Sequence, residues 1–376
     1  MKSQLLPEGF RDSLPDLAKK EHKINSIFLE LMRKNGYSLV RPPLLEFENS
    51  LFFLTKNLEN INSFRVLDPL SQKMMGLRSD ITLQIARISC GSLLNKPRPL
   101  KLCYSGEILK VKNNSLNMSR QSIQIGSEII GIEENSCENQ VINLLIDILD
   151  QLKIKKFIIS FAMPTLIKSM SKDFNLNKKD YEYVKEKFRN KNVIGLDEIS
   201  KELEKVSSVL LSSVGDFRKN ISIIKKYKFP NNTQKEIGNF VKVVDSVSQE
   251  FPQLKILIDP LEIDESNYHT GMVFKVYSEN LKELFTGGNY QVFNENCFGF
   301  SGFVENLIYE AKITLDSEKK IFVPLNVSND SRKNLIRKGF IVIQAIKKYS
   351  NKQIMEQAKL QQCEYFFINN KVFKME

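Results

Sequence analysis

The sequence predicts an α+β fold with a helical insert and a small C-terminal α/β tail. Apolar side chains alternate at period two within residues 120–131, which indicates a strand, and two further strands are predicted shortly before it. A lysine-rich stretch at about 165–250 has helical periodicity and few strand patterns. The last 58 residues, 319–376, alternate between strand and helix patterns. We therefore expect a core of residues 1–318, interrupted by the insert, and a separate tail.

The individual elements follow from local patterns. Strands are predicted at 37–40, 64–67, 73–77, 100–104, 108–111, 120–131, 255–258, 272–277 and 282–285. Outside the insert and the tail, helices are predicted from a Ser13 cap to Gly36, after Asp80, over 141–152 and over 300–311. The pair Gly287-Gly288 is expected to interrupt the chain as a turn or bulge, or to bring backbone close to a ligand.

Composition places the chain among ordinary globular proteins. Of its 376 residues, 42% are hydrophobic and 26% are charged, which excludes disorder of the whole chain. The net charge of +11 invites an anionic partner such as nucleic acid. However, 43 of the 55 basic residues are lysines, whereas bidentate recognition of phosphate or guanine favours arginine. A general compositional bias therefore explains the charge better than nucleic-acid binding does.

Cysteine, histidine and hydropathy patterns favour a reduced, soluble, cytoplasmic protein. The five cysteines include no C-x-x-C pair, and their odd number is a poor disulfide framework. The two histidines, His22 and His269, are far apart, which argues against a histidine-based zinc site. We expect neither a metal nor another cofactor. No segment approaches 18 uncharged apolar residues, and the N-terminus lacks a secretory pattern, so we expect no membrane association.

The strand at 120–131 is the most informative element for function. Its apolar Ile123 and Ile125 alternate with Gln124, Gly126 and Glu128, so one face presents an amide, a gap and a carboxylate. Surface exposure is the simpler interpretation of these polar residues. Their apolar neighbours instead favour a sheet with a concave polar face.

Two further clusters are candidates for a site. Arg78, Asp80 and Thr82 lie at a hairpin-to-helix junction, where a helix cap is the simpler explanation of Asp80 or Thr82. A polar turn contains Tyr268 and His269, and a structural histidine is the commoner case. The chain has no phosphate-binding glycine loop, no G-x-S-x-G and no H-E-x-x-H. Nucleophilic and metal-hydrolase functions therefore have little support.

Taken in order, these segments resemble the histidyl-tRNA synthetase family and, more closely, its regulatory branch, the synthetase-like regulatory subunits of ATP phosphoribosyltransferase. The matching segments lie between about Leu5 and Lys312: LLPEGFRD, GYSLVRPPLLE, GLRSDITLQIARI, LCYSGEILK, QIGSEIIG, NYHTGMVF and GGNY. The run LLPEGFRD…LRSDIT…LCYSGE is specific to the regulatory branch. The resemblance implies a class II aminoacyl-tRNA synthetase-like core, an antiparallel sheet flanked by helices, which dimerises through its first helix and the strand ending at Pro43.

The resemblance also implies a histidine-binding pocket. The matching positions are Asp80, Thr82, Lys110, Gln124, Glu128, Tyr268 and His269. In the family, the positions of Asp80, Thr82 and Gln124 hold the amino group of histidine. The position of Glu128 meets the imidazole. A carboxylate, a hydroxyl and an amide are suitable partners for an ammonium group.

The departures from the family pattern argue against aminoacyl adenylation. The arginines that handle phosphate and carboxylate in the synthetases fall on Lys110, Asp264 and Asn306, and an acidic position falls on Lys112. Three weakened charge-assisted contacts would remove on the order of 5–9 kcal/mol of binding. The second aromatic of the pair at Tyr268 is His269, where the family has tyrosine. Separately, only Lys110 remains to meet a ligand carboxylate.

The resemblance therefore implies a regulatory subunit without catalytic residues, acting in the first step of histidine biosynthesis. The implied partners are short-form ATP phosphoribosyltransferase catalytic subunits in a hetero-octamer, a second copy in a homodimer, and L-histidine as effector. One alternative is a degenerate synthetase-like enzyme that activates an amino acid with ATP. The other is a tRNA-binding module that uses the insert at 165–250, for which a solvated helical subdomain is the simpler interpretation.

Overall fold

A nine-stranded mixed sheet is the framework of the larger of two units in the computed structural model, which describes residues 5–51, 63–112, 119–133, 137–265, 268–314 and 318–375. The strands are β1 (Ser38–Leu39), β2 (Leu45–Phe47), β3 (Arg65–Leu67), β4 (Met74–Leu77), β5 (Leu100–Leu109), β6 (Gln121–Ile132), β7 (Phe157–Ala162), β8 (Gly215–Asp216), β9 (Lys255–Asp259), β10 (His269–Ser278), β11 (Glu283–Val292), β12 (Glu295–Phe303), β13 (Lys320–Val323), β14 (Ile341–Gln344), β15 (Tyr365–Ile368) and β16 (Lys371–Lys374). The helices are α1 (Pro15–Lys34), α2 (Glu48–Leu51), α3 (Thr82–Cys90), α4 (Glu138–Gln151), α5 (Leu166–Asp173), α6 (Lys178–Arg189), α7 (Lys201–Ser212), α8 (Phe217–Lys226), α9 (Asn231–Glu250), α10 (Val304–Ile308), α11 (Asn329–Arg337) and α12 (Asn351–Leu360).

The large sheet is antiparallel through its centre. Its strand order is β1-β5-β6-β12-β11-β10-β7-β9-β8. The β1/β5 and β7/β9 pairs are parallel, and the other neighbours are antiparallel. The prediction of an antiparallel sheet flanked by helices is thus confirmed, with two parallel pairs added near the edges.

Three predictions about segments of the large sheet were wrong. Leu100 to Leu109 is one continuous strand, β5, instead of two. Gly287 and Gly288 lie inside β11, where they do not interrupt the chain. A Cβ at Gly288 would collide with the carbonyl oxygen of Met272, so glycine allows the strands to pack closely. Phe300 belongs to β12, and the helix after it is short, α10.

The first helix begins without the predicted cap. Leu14 occupies the N-cap position and makes no side-chain cap hydrogen bond, so the prediction of Ser13 was wrong. Pro15 lacks an N–H that would need a partner in the first turn, and Asp16 complements the positive end of the helix. Gly36 follows the helix at a φ of +81°, as its predicted position at the helix end requires.

Helices dominate the predicted insert. It comprises α5 to α9, a short 3₁₀ turn at Leu196–Glu198 and the two-residue strand β8. The stripe of buried apolar residues on α9 includes Ile237, Phe240 and Val244, which belong to the main hydrophobic cluster of the unit. The insert is therefore held to the sheet by apolar packing.

The chain divides into two units, Met1–Ile313 and Thr314–Glu376. The second starts five residues before the predicted tail and contains a four-stranded sheet of order β14-β13-β15-β16. Opposite faces of β13 are buried, because Ile321 and Val323 cluster with Leu335 of α11 whereas Phe322 clusters with Ile354 of α12. The predicted alternation of strands and helices is present, followed by the additional strand β16.

All five cysteines are free thiols. Within the described part of the chain, no group of three or more histidine, cysteine, aspartate or glutamate residues could hold a metal ion. In the same residues, no helix has the length and apolarity needed to cross a membrane.

Candidate functional site

The candidate site is built on the central strand β6. Gln124 and Glu128 lie on the same face of this strand, two positions either side of Gly126. Tyr104 of β5 pairs with Gly126 across the sheet. A Cβ at Gly126 would collide with the Tyr104 hydroxyl, so this glycine creates the space in which the tyrosine ring lies. The gap predicted between the amide and the carboxylate is filled by a tyrosine.

Glu128 is buried between two tyrosine hydroxyl groups. Its side chain accepts hydrogen bonds from Tyr290 Oη at 2.9 Å and from Tyr104 Oη at 3.3 Å. Burial raises the pKa of Glu128 to about 8, against the opposing effect of the Tyr290 hydrogen bond. Gly299 lies opposite on β12, and a Cβ there would collide with the Glu128 carboxylate. The carboxyl group is therefore held in one place by neighbours on three strands.

The amide of Gln124 joins β6 to the start of α3. Its Nε2 donates to Asp80 Oδ2 at 3.0 Å, and its Oε1 accepts from the Ile81 N–H at 2.8 Å. Asp80 Oδ1 also accepts from the Thr82 N–H at 2.7 Å. The N-cap residue of α3 is Ile81, without a side-chain cap hydrogen bond, so the prediction of Asp80 or Thr82 as the cap was wrong. Thr82 Oγ1 lies 2.9 Å from Tyr104 Oη, which connects this end of the site to Glu128.

Aromatic rings form the other wall. The Tyr268 ring stacks on Tyr290 with centroids 5.1 Å apart, and His269 meets Tyr268 edge-on at 5.2 Å. Asp264 Oδ2 accepts from the His269 backbone N–H at 3.2 Å and lies 2.9 Å from its Nδ1. The hydrogen-bond partner of His269 is therefore Asp264, whereas Glu128 is held by Tyr104 and Tyr290.

Lys110 does not join this network through any contact among the described residues. Its Nζ lies over the Phe303 ring, 4.7 Å from the centroid. Burial raises the pKa of Glu283, against the opposing charges of Lys275 and Lys110, so Lys110 also lies near that carboxyl group. The other six predicted residues form one connected group, and Lys110 is displaced from it.

Two residues of the site were missed in the sequence. Tyr104 and Tyr290 supply the hydroxyl groups that hold Glu128, although both lie in segments that carry the family resemblance, LCYSGEILK and GGNY. Tyr104 lies two residues after Leu102 on β5, and Leu102 pairs with Glu128. Period-two alternation therefore places the Tyr104 side chain on the same face of the sheet as Glu128. Inferring this from the sequence required knowledge of which strands pair.

Arg78, noted in the sequence, has a supporting position. It is 6% exposed and donates to the carbonyl oxygens of Glu107 at 2.7 Å and of Pro42 at 2.9 Å. Burial lowers its pKa. Arg78 therefore connects β4 to β5 and to the segment before β2, and its guanidinium is engaged by backbone groups.

Acceptors and hydroxyl groups at two separated points define what this site can bind. Asp80 with Gln124 presents a carboxylate and an amide at one end, and Glu128 with its tyrosines presents a carboxyl group at the other. Such an arrangement suits a small molecule with an ammonium group, for which the Asp80 carboxylate is a charge-assisted acceptor, and with a second N–H group that donates to the Glu128 carboxyl oxygen. The stacked Tyr268 and Tyr290 rings offer a flat apolar wall for a planar ring.

A family model and a solved structure show the class of protein to which the chain belongs. Residues 9–307 match the family model described as histidyl-tRNA synthetase. A solved histidyl-tRNA synthetase from Nostoc sp. PCC 7120 has the same fold, with a TM-score of 0.76 at 17% identity, covering 98% of this chain and 92% of that chain. The fold and the matched family therefore define a class II, histidyl-tRNA synthetase-like protein.

Relatives with higher sequence identity show which branch of this family the chain belongs to. An ATP phosphoribosyltransferase regulatory subunit from Paramagnetospirillum magneticum is 29% identical, covering 96% of this chain and 95% of the relative. The protein of the same name from Gluconobacter oxydans is 30% identical, covering 91% and 90%. The chain belongs to the ATP phosphoribosyltransferase regulatory subunits of the histidyl-tRNA synthetase family. A solved regulatory subunit/histidyl-tRNA synthetase from Bacillus halodurans C has the same fold, with a TM-score of 0.77 at 20% identity, covering 95% of this chain and 97% of that chain.

Proposed function

We propose that this chain is a non-catalytic subunit that binds an ATP phosphoribosyltransferase catalytic subunit and regulates it in response to histidine. The observation that carries the proposal is similarity over nearly the whole length to proteins named for that role. The proposed assembly contains short-form catalytic subunits in a hetero-octamer, and the reaction is the first step of histidine biosynthesis.

Histidine is the proposed ligand of the pocket around Glu128. Its imidazole would lie against Tyr268 and donate to Glu128, while its ammonium group would meet Asp80 and Gln124. The connected hydrogen bonds between Thr82, Tyr104 and Glu128 support this assignment, because they hold both ends in fixed positions. Binding would shift the assembly between states of different activity, with a coupling of typically 1–3 kcal/mol.

Three residues that stand where the synthetases have arginine make contacts that favour regulation over amino-acid activation. Asn306 donates to the Glu283 carbonyl oxygen at 2.9 Å, Lys110 lies over Phe303, and Asp264 holds His269. None of these arrangements brings an arginine to a nucleotide phosphate. A preorganised cationic site for phosphate is the part that adenylation needs most.

An apolar face supports the proposed homodimer. Phe47 and Val66 both pair with Met75 in the three-stranded sheet of order β2-β4-β3, so these side chains share one face with Leu45. Leu45, Phe47 and Val66 remain 37%, 41% and 44% exposed. Adjacent exposed apolar side chains of this kind are typical of protein interfaces.

Co-purification with a short-form catalytic subunit tests the proposal. We expect the two chains to elute together, the catalytic rate to rise when this chain is added, and histidine to lower that rate. A Glu128→Ala chain should still activate but respond to histidine at least tenfold more weakly, because it lacks the buried carboxyl group. Glu356→Ala, at an exposed position on α12, is the control.

Two results would argue for other functions, and a third would contradict the proposal. Histidine-dependent pyrophosphate exchange by the purified chain would support a synthetase-like enzyme. Strongly salt-dependent tRNA binding would support a nucleic-acid module. If the two chains elute separately and the catalytic rate does not change, the regulatory proposal is wrong.

A further inference from the structure

The insert and the segment before β10 line a cleft that is separate from the surroundings of Glu128. It holds about 290 Å³ of space, part of it open to solvent. It shares Asp264 and His269 with the aromatic wall, whereas Asp80, Gln124 and Glu128 do not line it. Much of this space is open solvent, and its enclosed part has room for little more than a water molecule, so a small ion would bind at the open side of the cleft.

Two lysines from neighbouring helices of the insert line the cleft. They are Lys168 of α5 and Lys185 of α6. The Lys185 side chain is only 16% exposed. Its Nζ lies 3.3 Å from Oε2 of Glu265, whose side chain is 58% exposed. Burial raises the pKa of Tyr181 while the charge of Lys185 lowers it, so the Tyr181 side chain lies near the same ammonium group. Two lysines and a tyrosine, whose side chains can donate hydrogen bonds, therefore line the cleft.

The acidic groups nearby already have partners. Asp264 accepts from the His269 backbone and lies 2.9 Å from its ring nitrogen. Glu265 is shared between Lys185 and Arg189. Donors with positive charge thus exceed the remaining acceptors among the residues that line the cleft, which favours an anion over a cation.

We propose that this cleft binds a small oxyanion, a phosphate or a carboxylate, between Lys168 and Lys185. Lysine ammonium groups bind such anions as point charges with three donors each. The proposal does not depend on histidine binding, although the shared Asp264–His269 pair would let the two sites influence each other. Phosphate could come from a free ion or from a phosphorylated metabolite, and the shared chemistry is the oxyanion.

Titration of the full chain with inorganic phosphate, against chloride at constant ionic strength, tests the proposal. Calorimetry should show saturable binding, weakened about tenfold in both Lys168→Gln and Lys185→Gln. Lys187→Gln is the matched control, because this α6 residue donates to the Ile194 carbonyl oxygen and does not line the cleft. Acetate and a phosphate monoester, titrated in parallel, distinguish the sources.

The variant Glu265→Gln separates anion binding from a purely structural role of Lys185. Removing the carboxylate releases Lys185, so phosphate affinity should rise several-fold, opposite to the effect of Lys185→Gln. The proposal is wrong if phosphate binding is not saturable or is unchanged in both lysine variants. It is also wrong if Glu265→Gln and Lys185→Gln weaken binding alike. Far-ultraviolet circular dichroism of each variant confirms that it is folded.

Discussion

Glu128 makes the stability of this chain depend on pH. Its pKa is raised from 4.5 to about 8, mainly by burial, so the unfolded chain ionises more readily than the folded one. Stability should therefore fall as pH rises from about 4.5 to about 8 and level off above that. The full linkage of such a shift is up to about 5 kcal/mol.

The variant Glu128→Gln should flatten this dependence, because glutamine does not titrate. Urea unfolding at intervals between pH 5 and pH 9 measures it as the difference between variant and parent. Glu305, whose pKa burial raises to about 7, adds a component of the same sign that both proteins keep. Glu356→Gln is the exposed control. Parallel profiles for parent and Glu128→Gln would contradict the assignment of this effect to Glu128.

At the scale of residues, the sequence could identify which side chains matter but not how they connect. Gln124 and Glu128 were predictable, since period-two alternation places both on one strand face. The partners of Glu128 were not, because Tyr104 and Tyr290 reach it from other strands, through register that local patterns do not specify. Lys110 illustrates the opposite limit, since the family pattern assigns it to the site but its ammonium group lies over the Phe303 ring.

At the scale of elements, the long helix α9 depends on a carboxylate supplied by α5. Pro230 at its N-cap has no side-chain cap hydrogen bond. The Asp173 carboxylate takes the role of the missing cap. It accepts hydrogen bonds from the backbone N–H groups of Asn232 at 3.0 Å and Thr233 at 2.8 Å, and from the side chains of the same two residues. Burial opposes ionisation of Asp173, but these hydrogen bonds hold its pKa below the ordinary value.

We expect Asp173→Asn to destabilise the chain by about 1–2 kcal/mol, the usual effect of losing a helix cap. Because the folded pKa is lowered, the contribution is present above pH 3.8 and is lost as pH falls through the folded value. Urea midpoints at pH 7 should therefore differ more than those near pH 3. The control Asp197→Asn, at an exposed position of the short 3₁₀ turn, should leave the urea midpoint unchanged at both pH values. A pH-independent difference would mean that the carboxylate charge is not what stabilises α9.

Predicted element types were reliable where one periodicity dominated and failed where glycine and aromatic residues were mixed. Both the insert and α4 have clear helical stripes, and the structure has helices there. The β11 and β12 segments instead contain glycines beside phenylalanines, which resemble turns when neighbours are unknown. In the sheet these glycines lie where strands and rings approach too closely for a Cβ, as at Gly287 beside Phe300.

At the scale of the whole molecule, net charge is unevenly distributed. Residues 314–376 contain 12 of the 55 basic residues and 6 of the 44 acidic ones, so the second unit carries +6 of the total +11. The larger unit is therefore close to balanced for its size. This distribution weakens any argument for a nucleic-acid surface on the synthetase-like core, where the arginines for phosphate are also replaced.

The two units should unfold separately, because each has its own buried clusters, such as that of Leu335 with Ile321 and Phe367 in the second. Calorimetry of the full chain should show two transitions, the smaller with an enthalpy of roughly 40 kcal/mol from per-residue averages. Leu335→Ala should lower only that transition, by creating a cavity in the small core.

A chain truncated after Ile313 should keep the larger transition and the same histidine affinity, since every residue of the proposed pocket lies before that point. One cooperative transition in the full chain, lost on truncation, would show instead that the second unit is required for the first to fold.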